Sequence, residues 1–175
     1  YVLAIGAITN VASAILLEPA IIERVVVVWL GGHPYYWPHT VEFNLQQDLH
    51  AARVVLNCGV PFVHIPCKNV AEHLTTTLPE LEVNLKGRNP ISDYLYEIFY
   101  HYRRDHFAWA KVLWDVSTVA WLVDHSWVPT VLTHSPILTD QVTWSRDESR
   151  HLVRVAIHCD RNAIFADLFR KLQEP

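Results

Sequence analysis

The segment Val25–Gly32 has the sequence VVVVWLGG and is the clearest strand pattern in the chain. An unbroken run of β-branched and apolar residues predicts a strand buried on both faces, as in a parallel sheet, and the paired glycines mark its end. A loop rich in proline and aromatic residues follows at residues 33–40, and then a helical pattern runs from Leu45 to Cys58. A second short strand at Pro61–Ile65 completes a strand–helix–strand unit, which indicates two parallel strands joined by a crossover helix.

The same alternation extends in both directions along the chain. Val2–Ile5 is a short apolar run that ends at Gly6, and a helical pattern follows it at Asn10–Leu17. Downstream we predict helices that begin at Asn89-Pro90 and cover Asp115–Val123 and Asp160–Leu172, and strands at Val128–Leu132 and Leu152–Ile157. The sequence therefore predicts an α/β domain with a mostly parallel sheet flanked by helices.

The composition argues against several classes of protein. Of the 175 residues, 51% are hydrophobic and 18% are charged, which favours a packed globular domain over a disordered chain. The net charge of −4 provides no basic surface for nucleic acid. No apolar run approaches the roughly 20 residues that a membrane-spanning helix needs. The three cysteines form no CxxC pair, which favours reduced thiols and a cytoplasmic protein. We therefore expect neither a nucleic-acid partner nor a membrane partner.

Polar residues at the predicted strand ends are the first candidates for a functional site, because ligands bind at the carboxyl ends of parallel strands. Glu42 and Asn44 are suited to binding neighbouring sugar hydroxyls, but their spacing alone favours a loop acid followed by an Asn helix cap. Thr9 is either a helix cap or a residue whose main-chain oxygen faces a ligand. Asp115 is either a cap or one oxygen ligand of a hard cation such as calcium, and a residue like Trp114 is most often part of the core.

Taken in order, five segments resemble the hallmarks of the inosine-uridine nucleoside hydrolases. They are AIGAITNVASAILLEP (4–19), VVVVWLGG (25–32), VEFNLQQDLHAARVVLNCGVPFVHIP (41–66), WDVSTVAWLVD (114–124) and DRNAIFADLF (160–169). The E-F-N-x-x-x-D-x-x-A-A pattern that starts at Glu42 is specific. The resemblance extends from Ile5 to Leu172, with Lys68–Phe107 as its least distinct part. It implies a Rossmann-like α/β fold and an enzyme that hydrolyses the N-glycosidic bond of ribonucleosides.

The resemblance also implies a role for each candidate residue. Thr9 would give its main-chain oxygen, and Asp115 its carboxylate, to a calcium ion that holds the ribose and the attacking water. Glu42 and Asn44 would bind ribose hydroxyls. Many relatives carry His where this chain has Trp114, and the tryptophan resembles the purine-preferring subgroup, in which an indole stacks on the leaving base. The expected substrate is a purine ribonucleoside, and we expect a homo-oligomer because relatives commonly form dimers or tetramers.

Two features depart from the family pattern. The aspartate-rich motif D-x-D-x-x-x-D-D, which would supply most calcium ligands and the general base, is absent from residues 1–175. Because the sequence contains no methionine and opens at Tyr1 on a strand-like run, we expect residues 1–175 to be the carboxyl-terminal part of a single domain, paired with its amino-terminal segment. Tyr35, Tyr36 and Trp37 occupy the loop in which relatives carry an Asn near the 5′ side of the ribose.

These departures leave two alternatives open. The aromatic loop is compatible with a related hydrolase that acts on another ribosyl or carbohydrate compound. The absent aspartates are compatible with a non-catalytic relative that binds a sugar or a nucleoside. Both alternatives keep the fold and the family, and differ only in what the site does.

Overall fold

A five-stranded sheet organises residues 1–174, which the computed structural model describes. The strands are β1 (Val2–Ala4), β2 (Val27–Leu30), β3 (Phe62–Ile65), β4 (Thr75–Thr76), β5 (Lys111–Val112), β6 (Thr130–His134), β7 (Ile137–Leu138), β8 (Trp144–Ser145) and β9 (Leu152–Ala156). The central sheet has the order β1-β2-β3-β9-β6, in which the first four strands are parallel and β6 is antiparallel to β9. The predicted α/β class with a mostly parallel sheet is confirmed.

Helices cover both faces of this sheet. They are α1 (Thr9–Leu17), α2 (Phe43–Gln46), α3 (Leu49–Asn57), α4 (Leu78–Asn84), α5 (Pro90–His101), α6 (Val116–Val123) and α7 (Arg161–Gln173), with short 3₁₀ helices at Pro19–Glu23 and Ala71–His73. Side chains of α1 and α3 pack in the core on one face, and side chains of α4 to α7 pack in the core on the other. The result is a three-layer arrangement with the sheet in the middle.

The strand β2 shows why the sequence must be apolar at every position here. All four of its residues are buried. Val27 and Trp29 belong to the core under α1 and α3, whereas Val28 and Leu30 belong to the core on the opposite face. Successive side chains of a strand point to opposite faces, so a strand covered on both sides favours apolar residues at every position. The indole Nε1 of Trp29 also donates to the carbonyl of Gly6 at 2.9 Å, which ties β2 to the turn after β1.

One predicted helix is in fact two. The run from Leu45 to Cys58 was expected to be continuous, but α2 ends at Gln46 and α3 begins at Leu49. The reason is Asp48, which is the N-cap of α3 and whose carboxylate accepts a hydrogen bond from the backbone N–H of Ala51 at 2.9 Å. A capping aspartate starts a new helix because it satisfies a backbone donor that has no partner within the helix.

Two properties of the described chain bear on the environment of the protein. Cys58, Cys67 and Cys159 all carry free thiols, and the last two are buried. No helix within residues 1–174 has the length and the apolar character that crossing a bilayer requires. A cytoplasmic location remains a prediction.

His64 is a buried polar residue in the middle of the sheet. Its ring stacks on Tyr35 and Phe62, and its Nε2 hydrogen-bonds the carbonyl oxygen of Gly31, the residue that follows β2. The other ring nitrogen, Nδ1, is enclosed by protein without a hydrogen-bond partner. Burial lowers the pKa of His64 from 6.5 to about 4, so its ring is neutral in the folded protein near neutral pH.

We expect acid to destabilise the protein through His64 between pH 6.5 and about pH 4. The unfolded chain binds a proton at this residue as pH falls below 6.5, whereas the folded chain resists until about pH 4. Stability is therefore lost as pH falls through this window. The shift corresponds to about 3 kcal/mol of unfolding free energy. Urea unfolding across the pH series measures it. His64→Gln, which keeps a donor for Gly31 but does not titrate, should lose less stability; parallel curves would contradict the prediction.

Candidate functional site

A cleft of about 500 Å³ opens at the carboxyl ends of three neighbouring parallel strands. Ile5 directly follows β1, Leu30 ends β2, and Cys67 lies just beyond β3, and all three line the cleft. Four of the residues that the sequence singled out also line it: Glu42, Asn44, Trp114 and Asp115. The edge of the sheet at which sequence reasoning placed a ligand site is therefore concave and carries these polar groups.

The carboxylate of Glu42 holds the loop that forms one wall of the cleft. Its Oε2 accepts hydrogen bonds from the backbone N–H of Gly32 at 2.7 Å and of Leu45 at 3.1 Å, and its Oε1 accepts one from Asn44 at 3.0 Å. Glu42, and not Asn44, is thus the N-cap of α2, so the interpretation of Asn44 as a helix cap is wrong. A carboxylate has about four acceptor positions, so three backbone donors leave it the capacity for roughly one further hydrogen bond.

The turn that brings a backbone donor to Glu42 requires glycine. Gly32 has φ +64°, a conformation that residues with a side chain rarely adopt. A Cβ at this position would lie 2.6 Å from Oγ1 of Thr40 and 2.8 Å from the side chain of Leu45. The second glycine after β2 therefore allows the chain to fold back against α2 while its N–H points at Glu42.

Asn44 is buried and is fixed to the end of β2. Its Nδ2 donates to the carbonyl oxygen of Leu30 at 2.9 Å. Because the amide group is planar, this bond directs Oδ1 to the opposite side of the side chain. Asn44 lines the cleft, and its amide oxygen is thereby held in one orientation. A hydrogen-bond acceptor for a ligand needs such a fixed orientation.

Trp114 and Asp115 line the same cleft and lie immediately before α6. Asp115 occupies the N-cap position, but its side chain makes no capping hydrogen bond, so the capping interpretation does not describe its contacts. Although the residue as a whole is exposed, loss of water around its carboxyl group raises its pKa, and the nearby Glu42 carboxylate raises that pKa further. Trp114 is 36% exposed, so it is not a core residue.

A second groove, of about 510 Å³, adjoins the cleft and is lined almost entirely by apolar side chains. Leu95 and Phe99 of α5 and Leu168 of α7 line it, and it shares Trp114 and Asp115 with the cleft. Trp114 therefore borders a polar cavity and an apolar one. Such a junction suits a ligand that has one polar part and one flat apolar part.

Thr9 lies outside the cleft. It is the first residue of α1, and its hydroxyl donates to Oδ2 of Asp48 at 2.6 Å. Ile5, which directly follows β1, lines the cleft on this side. The role of the Thr9 main-chain oxygen as a metal ligand stays a prediction.

The described residues do not form a complete metal site. Calcium needs about six to eight oxygen ligands. Within residues 1–174 no group of three or more His, Cys, Asp or Glu side chains is arranged to hold a metal ion. Glu42 is largely engaged by backbone donors, which leaves the carboxylate of Asp115 as the acidic ligand that the cleft offers. These residues alone therefore do not fit a bound calcium ion.

Sequence reasoning missed three polar residues of the cleft: His33, Cys67 and Lys68. Burial, and then the Glu42 carboxylate, raise the pKa of the Cys67 thiol, so it remains protonated and is a poor nucleophile. Lys68 Nζ lies 3.2 Å from the Glu72 carboxylate, which partly neutralises its charge. The position of each directly after a strand end was the pattern that could have identified them.

Residues 1–166 match the family model described as inosine-uridine preferring nucleoside hydrolase. An inosine-uridine preferring nucleoside hydrolase from Leishmania major is 30% identical over 141 residues, which is 77% of this chain and 43% of that protein. The chain thus spans less than half the length of this relative.

Solved structures with the same fold include a plant nucleoside hydrolase, with a TM-score of 0.82 and 22% identity over 99% of this chain and 62% of that chain. A purine-preferring ribonucleoside hydrolase from Gardnerella vaginalis has a TM-score of 0.78 and 19% identity, and the match covers 98% of this chain and 60% of that chain. The nucleoside hydrolase fold predicted from the motifs is confirmed. On the match over residues 1–166, the chain belongs to the inosine-uridine preferring nucleoside hydrolase family.

Proposed function

We propose that the protein hydrolyses the N-glycosidic bond of ribonucleosides, with purine nucleosides preferred, and that this chain provides its sugar- and base-binding side. One observation carries the proposal: Glu42, Asn44, Trp114 and Asp115, far apart in sequence, line one cleft at the carboxyl ends of parallel strands. A cap or a core position would explain each residue separately. Neither would explain why they line one cavity.

The sugar is bound by the wall that α2 forms. Asn44 presents a fixed amide oxygen, and Glu42 keeps the capacity for about one more hydrogen bond. Two acceptors on neighbouring residues of a short, capped helix suit two neighbouring hydroxyl groups of a ribose. Since both side chains are held by backbone groups, little conformational freedom is lost when the sugar binds.

The negative charge of the cleft favours bond cleavage. Departure of the base from the sugar develops positive charge on the ring, as in other glycoside hydrolyses. The carboxylates of Glu42 and Asp115 line the same cleft, and their mutual repulsion contributes to the raised pKa of Asp115. A cationic ring placed between them relieves this repulsion, so the transition state is stabilised more than the neutral substrate.

Trp114 binds the leaving base. Stacking of a base on an aromatic side chain contributes about 1–3 kcal/mol, and a purine covers more of an indole than a pyrimidine does. The apolar groove beside Trp114 leaves room on this side of the cleft. The names of the relatives indicate different base preferences: one is called inosine-uridine preferring and another purine-preferring. Membership of the family therefore does not by itself determine which base this protein prefers.

The proposal includes calcium dependence, but only for an assembly that contains more than residues 1–174. When bound, the ion would hold ribose hydroxyls and lower the pKa of a water molecule. Asp115 is the residue of this chain suited to contact it, and the remaining oxygens would come from an amino-terminal segment or from a partner subunit of a homo-oligomer. A non-catalytic nucleoside-binding protein is the second candidate, because the described residues by themselves hold no metal.

We expect Asp115→Asn to lower inosine hydrolysis by at least about 100-fold, because the substitution removes a charge that stabilises the transition state. Inosine binding in the absence of Ca²⁺ should change far less, since Asn keeps the size and polarity of the side chain. The matched control is Asp124→Asn, at the other end of α6, whose carboxylate accepts hydrogen bonds from Ser126.

Hydrolysis is measured on the full-length protein in a calcium titration. Equal activity of both variants would disprove the role of Asp115; inosine binding without turnover by the wild type would favour the non-catalytic candidate.

We expect Trp114→Leu to lower kcat/KM for inosine by about ten-fold or more, because the stacking contribution is lost. The loss for uridine should be smaller, since the smaller base stacks less. Trp114→Phe, which keeps an aromatic face, should retain part of the inosine activity. Steady-state rates on both nucleosides test this, and wild-type turnover of uridine equal to or above that of inosine would refute the purine preference.

A further inference from the structure

His33 lies at the cleft with an imidazole that the protein does not use. The residue follows the Gly31-Gly32 turn, lines the cleft and is only 6% exposed. Its Nδ1 is enclosed by protein and has no hydrogen-bond partner, so a ligand in the cleft does not reach it. Its Nε2 makes no hydrogen bond to the described residues either, but it is not enclosed, so it is the ring nitrogen that a ligand can contact.

The backbone of His33, rather than its ring, fixes the residue in place. Its N–H donates to Oγ1 of Thr40 at 2.9 Å, and its carbonyl oxygen accepts from the indole Nε1 of Trp144 at 3.0 Å. The ring lies edge-on to Trp37, with 6.2 Å between the ring centroids. A side chain held in this way needs no ring hydrogen bond to keep its position. Its Nε2 is therefore available to a group that enters the cleft.

The charge of the surroundings decides which chemical group fits. Burial lowers the pKa of His33, while the Gly32 carbonyl and the Glu42 carboxylate act in the opposite direction. The neutral ring has one donor and one acceptor nitrogen. Glu42 and Asp115 are acidic, and Lys68 is paired with Glu72, so the cleft is unfavourable for an anion such as a phosphate. A hydroxyl both donates and accepts, so it can pair with Nε2 in either tautomer of the neutral ring.

We propose that His33 is a specificity-determining residue that hydrogen-bonds one hydroxyl of a neutral, sugar-containing ligand. The inference rests on the proposed function for the class of ligand, and it adds a contact that lies outside the E-F-N motif. The sugar would then be held from two segments of the loop after β2: Glu42 and Asn44 at its end, and His33 at its beginning. Because of this contact, the protein would prefer ligands that carry a hydroxyl rather than a hydrogen at that position of the ribose.

The test compares His33→Leu with His33→Gln, two side chains of similar size that differ in polarity. Calorimetric titration of the full chain with inosine, with and without Ca²⁺, should show about ten-fold weaker binding for Leu. Binding by Gln should stay within about three-fold of the wild type, because its amide retains a hydrogen bond near the position of Nε2. The control His39→Leu changes an exposed neighbour whose ring centroid is 5.5 Å from that of His33, and it should bind as the wild type does.

A ligand series identifies the hydroxyl. Titrations with 2′-, 3′- and 5′-deoxyinosine should reveal one analogue for which the wild type and the Leu variant bind equally, because that analogue lacks the group that His33 contacts. NMR of the wild type labelled with ¹⁵N-histidine should show a shift of the His33 ring nitrogens on addition of D-ribose, and this reading does not depend on how any variant folds.

Two results would overturn the inference without affecting the proposed function. In the first, the wild type and the Leu variant bind inosine with equal affinity. In the second, inosine binds but ribose causes no shift of the His33 resonances. Failure of the wild type to bind either inosine or ribose would overturn the proposed function, and the inference with it. Thermal unfolding of each variant identifies those that are folded before binding is compared.

Discussion

The geometry of the cleft depends on the hydrogen bonds that the Glu42 carboxylate accepts from Gly32, Asn44 and Leu45. Hydrogen bonds to an ionised acceptor are stronger than those between neutral groups, and here they join the turn after β2 to the first turn of α2. Without the carboxylate, these N–H groups would lack a partner beside the core. The residue to which the family resemblance assigns a sugar is thus first the group that closes its own loop, and a ligand contact would have to use the capacity that remains.

The fold could be predicted well from the sequence because burial on both faces of a parallel sheet leaves a simple pattern. VVVVWL at β2 has no polar position, and the structure divides its residues between the two cores. Hydrophobic patterning could not predict that the helix expected at Leu45–Cys58 is divided into α2 and α3. Asp48 is compatible with the first turn of a long helix or with an N-cap, and hydrophobic spacing does not distinguish these.

The cleft was predictable as a place and less so as a set of contacts. Strand ends pointed to an edge of the sheet that does carry a cleft, and Glu42, Asn44, Trp114 and Asp115 line it. Thr9 does not, because a residue several positions beyond the strand end has already entered α1. His33 was passed over because nothing in a sequence tells whether a histidine ring has a partner. That property depends on Thr40 and Trp144, which fix its backbone from distant positions.

The acidity of the cleft connects the fold to the proposed reaction. The carboxylates of Glu42 and Asp115 repel each other in a cleft in which the nearby Lys68 is already paired; the pKa of Asp115 is raised first by the loss of water around its carboxyl group and further by this repulsion. A neutral nucleoside does little to relieve this repulsion, a metal cation relieves it in the ground state, and an oxocarbenium-like ring relieves it only as the bond breaks. An interaction that strengthens on the way to the transition state raises the rate, whereas one present throughout raises affinity alone. In the proposed reaction, the carboxylate of Asp115, which no backbone donor caps, would face both the cation and the sugar ring, so the share of its charge that the cation leaves uncompensated is what would strengthen the interaction as the bond breaks.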